Sequence, residues 1–127
     1  MDAKELSQLR RMKRELEKDR QHLEELEWDA SAPPSLRQYC RISDEKSPGE
    51  LAREITDLKT AITEKQLRCI REEKRLWLFI SETDDSYWRL MLILRFVYGM
   101  PWEAVANEMH CTADAVRKSF CRKFKPP

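Results

Sequence analysis

Residues 88–125, WRLMLILRFVYGMPWEAVANEMHCTADAVRKSFCRKFK, decide the fold, because they read as three consecutive helices with a tight turn before the last. Asp85 is placed to cap a helix predicted over residues 86–98, in which residues 90–94 are apolar nearly all round and therefore require burial on more than one side. Gly99 stands where a helix end favours left-handed backbone, and Pro101 opens the next segment. In residues 102–109, Val105, Ala106 and Met109 fall on one face at helical spacing. The His110-Cys111-Thr112 triplet breaks that pattern. The Thr112 hydroxyl can accept from a free backbone N–H at the start of a further helix, and Asp114 sets negative charge near its N-terminus. That last helix turns Val116, Phe120 and Phe124 inward and Arg117, Lys118, Arg122 and Lys125 largely outward. A helix, a turn of about three residues and a second, basic helix is the helix-turn-helix arrangement, whose second helix enters the major groove.

Two crossed helices need a small residue where their backbones approach, and Ala106 with Val116 meets that demand. The turn between them usually holds Gly, since a residue there takes positive φ; His110 occupies the position instead. Trp102 reads as a packing residue between helices rather than an exposed aromatic. Arg95 either buttresses a backbone contact or pairs with Glu103 or Glu108.

The run GMPWEAVANEMHCTADAVRKSF, with its Trp-Glu-x-Val-Ala core, is similar to region 4 of bacterial sigma factors, the part that reads the promoter −35 element. The whole chain resembles small phage-encoded proteins of Gram-positive hosts related to the ArpU-like and RinA-like late transcription regulators, in which a charged helical hairpin precedes such a head. Only the last forty or so residues are motif-specific. The resemblance implies regulation of phage or prophage transcription in the host bacterial cytoplasm, which neither composition nor periodicity shows.

Working outward, charged residues make up 37% of the 127-residue chain and Gly occurs twice, which favours long helices over sheet. The net charge of +1 does not itself suggest nucleic acid, yet residues 117–125 hold Arg117, Lys118, Arg122, Lys123 and Lys125 with no acid. Charge location outweighs the sum, although a basic run alone also fits a solvated helix face. Cys40, Cys69, Cys111 and Cys121 form no paired metal-ligand spacing, so free thiols and no metal or cofactor are expected. No signal peptide and no apolar run of membrane-spanning length is read, and residues 90–98 are interrupted by Arg95.

Residues 1–28 place Leu9, Leu16 and Leu23 a heptad apart, with Met12 and Leu26 in the companion position and Asp19 breaking the stripe. Such a narrow stripe requires a partner helix. Arg10, Arg11, Lys13 and Arg14 are balanced by nearby acids and read mainly as solvated surface. Ser31, Pro33-Pro34, Ser35 and Ser47-Pro48-Gly49 make residues 29–49 a connection, with Tyr39 and Ile42 able to pin it. A second long helix is predicted from near Pro48 to about Ser81, with Leu51, Ile55, Leu58 and Ile62 as its stripe. Cys69 and Leu76 continue one register, Lys65 and Glu72 spoil its companion, and Leu67 and Ile70 suggest use of another face. Residues 76–80, Leu-Trp-Leu-Phe-Ile, are too apolar for solvent and are expected to dock on the head.

The expected architecture is all-α: a long antiparallel, coiled-coil-like hairpin over residues 1–81, then a tri-helical helix-turn-helix head over residues 84–127. The expected function is a DNA-binding transcriptional regulator acting on double-stranded DNA, as a homodimer through the hairpin, with no membrane partner. Arg117 and Lys118, one turn into the last helix, are the candidates for base edges, with Thr112, Ala113 and Asp114 for base or first-phosphate contacts. Arg122, Lys123 and Lys125 are better placed for phosphate. The alternative is a sigma-like adaptor that acts mainly by binding RNA polymerase or a sigma factor. Catalysis is not expected. His22 and His110 sit on a charged helix and in a turn, Asp84-Asp85 are accounted for by capping, and no phosphate-binding Gly loop or nucleophile motif occurs.

Overall fold

The computed structural model describes residues 1–32 and 47–124, and among these every regular element is helical. The long helices α1 (Ala3–Ser31) and α2 (Pro48–Glu82) are followed by α3 (Ser86–Leu92), a π-helical turn (Ile93–Val97), α4 (Trp102–Glu108) and α5 (Ala113–Lys123). The readings of Tyr39, Cys40 and Ile42, of the Pro33-Pro34 bend and of Lys125 lie outside the described residues.

The helix ends follow from local chemistry. The Glu5 N–H donates to Asp2 Oδ1 at 2.8 Å and so caps α1. At the start of α2, the Glu50 N–H donates to Ser47 Oγ while the Ser47 N–H donates to Glu50 Oε2, a reciprocal capping box with Pro48 just inside it. The Tyr87 N–H donates to Asp85 Oδ1 at 2.9 Å, which makes Asp85 the cap of α3.

The chain divides into two compact units. Of the described residues, one comprises 13–32 and 47–68, that is, α1 from Lys13 to its end and the first part of α2. Here Leu16, Leu26, Leu51 and Ile62 are buried, while Leu23, Ile55 and Leu58 are half-buried. Ion pairs join the two helices. Lys65 meets Glu15 at 2.8 Å and Asp19 at 2.6 Å, and Lys59 meets Glu27 at 3.8 Å, so partners descend along α2 as they ascend along α1.

The other unit joins residues 1–12 to residues 69–124. Its core contains Leu6 and Leu9 from α1, Leu76 and Ile80 from α2, Met91, Leu92, Leu94 and Phe96, and then Val105, Ala106, Val116 and Phe120. Within residues 76–80, Leu76, Phe79 and Ile80 pack into or against this core, whereas Trp77 and Leu78 face outward.

The segment expected as one helix over residues 86–98 differs from that expectation. After Leu92 it widens into the π-helical turn, where the Tyr98 N–H donates to the Ile93 carbonyl and the Met100 N–H to the Leu94 carbonyl. Gly99 then takes φ 69°, the left-handed conformation expected of it. Residues 90–97 are apolar except for Arg95, so they carry no helical periodicity that could mark the extra residue in the turn.

Candidate nucleic-acid interface

The site is built on the crossing of α4 and α5. Val105 and Val116 are wholly buried and Ala106 nearly so, which lets the two helices approach closely. The turn between them is a Schellman motif: the Cys111 N–H donates to the Ala106 carbonyl at 3.0 Å and the His110 N–H to the Asn107 carbonyl at 3.4 Å. His110 sits at φ 56°, so a non-glycine residue holds the left-handed position that closes α4. Thr112 is extended, and its Oγ1 accepts from the Ala115 N–H at 3.1 Å to start α5.

The back of α5 is fixed by aromatic packing. Phe120 lies 5.5 Å from Phe96, 5.4 Å from Trp102 and 4.9 Å from Phe124 between ring centres. Trp102 is half-buried, as a packing residue should be. The Arg95 guanidinium lies 4.3 Å over the Trp102 ring and donates to the Met100 carbonyl, tying the turn after α3 to the start of α4. These contacts set the rotation of α5 about its own axis, and hence which side chains it presents outward.

The outward face joins three of the residues singled out on sequence. Asp114 Oδ1 accepts from Arg117 Nη2 at 2.9 Å, and Asp114 Oδ2 lies 2.9 Å from Lys118 Nζ. All three side chains are more than half exposed. The Lys118 ammonium, followed by the Arg117 guanidinium, holds the Asp114 carboxyl below its ordinary value. Arg122 is exposed one turn beyond Lys118.

The remaining candidates take other places. Ala113 is half-buried and packs against the core, while the Thr112 side chain is engaged as the cap. Lys123 turns to the opposite side, where its ammonium lies 5.6 Å over the Trp88 ring. Cys121, one turn after Arg117, is exposed on the basic face. Nothing in its unpaired spacing among the cysteines singles it out, although its helical spacing from Asp114, Arg117 and Lys118 puts it on their side.

Chemically, this face offers two cations held by one carboxylate, with a third cation free to reach past them. Among the described residues, no group of three or more His, Cys, Asp or Glu side chains is placed to hold a metal ion. No described helix is long and apolar enough to cross a membrane. No protein-family model, curated protein or solved structure matches the chain.

Proposed function

We propose that this protein is a DNA-binding transcriptional regulator of the sigma region 4-like helix-turn-helix type, with α5 as the helix that enters the major groove. One observation carries the reading: α5 is fixed from behind by Phe120 and turns Arg117, Lys118 and Arg122 to solvent just beyond a Schellman turn. Arg117 and Lys118 reach base edges, Arg117 being suited to bidentate contact with guanine, while Arg122 and Lys125 neutralise phosphate. The long helices form an antiparallel coiled-coil-like hairpin, supported by the ion pairs between α1 and α2. With the sequence resemblance, this makes the protein a regulator of phage or prophage genes.

Selection of bound fragments from phage and bacterial DNA at physiological salt tests the proposal. One recurring motif is expected, and two half-sites spaced by about one helical turn, or a multiple of it, would show two copies acting together. Recovery of unselective DNA or of none would contradict base reading and shift the function to the adaptor alternative, in which the same unit engages RNA polymerase.

A further inference from the structure

Helix α2 has a second apolar face that its own unit leaves uncovered. Leu76 and Ile80 are turned into the core, at 0% and 4% exposure, but Ile70, Trp77 and Leu78 stay 43%, 45% and 62% exposed. Ile70, Lys74, Trp77 and Leu78 follow one another at i, i+4, i+7 and i+8, and Arg71 lies beside them, all within about a third of the helix circumference. That spacing is the stripe one helix offers to another. A half-exposed Trp beside a largely exposed Leu on a rigid helix is an anchor pair of the kind that dominates protein interfaces.

Charge decides what covers it. Arg71 and Lys74 are exposed within the stripe, and among the described residues neither has an ion-pair partner. A second copy laid along the same stripe, parallel or antiparallel about its middle, would bring Lys74 against Lys74 or Arg71, which opposes self-association there. An anionic lipid surface would meet the exposed carboxylate of Glu82, four residues after Leu78 at the end of the stripe. We propose that residues 70–78 of α2 dock an acidic amphipathic helix of another protein, its apolar residues on Ile70, Trp77 and Leu78 and its carboxylates against Arg71 and Lys74. The partner carries no acid at the end that faces Glu82, so the same charges fix its direction.

A display library of helix-forming peptides about twenty residues long, selected on the full chain and depleted on Trp77→Ala/Leu78→Ser, tests this. The enriched peptides are expected to repeat apolar residues at helical spacing and to carry Asp or Glu toward one end. Their affinity is expected to fall at least about tenfold on Trp77→Ala/Leu78→Ser. It is also expected to fall on Arg71→Glu/Lys74→Glu, and to return when the peptide acids are replaced by Lys. All four positions are exposed, and unchanged helicity of the variants, read by circular dichroism, shows that loss of binding is local. No enrichment, enrichment of peptides without acids, or equal binding to the variants would overturn the proposal. So would self-association in sedimentation that Trp77→Ala/Leu78→Ser abolishes, or phosphatidylserine vesicle binding lost in the same variant, either of which would assign the face to a second copy or to lipid.

Discussion

Lys65 Nζ lies 2.6 Å from Asp19 Oδ2, so the residue that interrupts the apolar stripe of α1 is met by one that interrupts the stripe of α2. Each looks like a defect when its helix is read alone. Together they form a partly exposed ion pair, with Glu15 as a second acceptor, at a level where neither helix offers an apolar residue. An isolated buried charge would be costly, whereas a matched pair fixes the register of one helix against the other.

Lys65→Met should therefore lower stability by about 1 kcal/mol, and Asp19→Leu/Lys65→Leu should recover most of that loss, as measured by urea unfolding. The hydrogen bond to Asp19, and then that to Glu15, raise the Lys65 pKa above 10.5. A raised cation contributes fully below its unfolded value and loses the contribution as pH rises through the folded one. The difference between wild type and Lys65→Met should accordingly be constant from neutral pH to near 10 and shrink above 10.5.

His110 holds φ 56° without being glycine. His110→Gly should be neutral or stabilising by up to about 1 kcal/mol, because relief of left-handed strain outweighs the added freedom of the unfolded chain. His110→Val should cost at least about 1–2 kcal/mol, since a β-branched side chain fits that conformation worst. Thermal unfolding of the two variants checks both signs.

Phe120 is 8% exposed and touches three other rings. Phe120→Ala should cost about 3–5 kcal/mol and loosen α5 before the rest of the chain, read as early loss of amide protection in Val116 and its neighbours under hydrogen exchange.

Asp114 engages both Arg117 and Lys118. Asp114→Asn should release them, strengthening binding to unselected DNA and steepening its dependence on log salt by about 0.9 for each additional phosphate neutralised. Discrimination between sites should fall at the same time, because Arg117 loses the carboxylate that holds it in one orientation. Filter binding across a salt series separates the two effects.

Much of this organisation was legible in the sequence. Helix boundaries marked by short polar caps are local events, so Asp85, Thr112 and Gly99 could be assigned without the fold, and the left-handed position at His110 followed from turn chemistry. The burial of Cys69 and Leu76 likewise follows from register. That residues 76–80 must dock elsewhere was legible from their apolarity, but which residues of distant segments meet was not. Leu6, which completes the core beside Leu9, belongs to neither of the heptad positions read along α1. The π-helical turn hides in a run that is apolar but for Arg95, and the outward Trp77 and Leu78 sit in a stretch whose composition suggested full burial. On α5, composition grouped Arg117, Lys118 and Arg122 with Lys123, which the helix separates from them and which is drawn away to Trp88.

The most direct test of the account is the affinity ratio between the motif recovered from fragment selection and the same motif with one central base pair changed, measured at fixed salt for wild type and for Arg117→Ala. If α5 reads bases through Arg117, the variant should lose about 1–3 kcal/mol of discrimination at one position and keep it at the others. Uniform weakening at every position, with the ratio unchanged, would mean that Arg117 contacts only phosphate and would contradict the assigned recognition face.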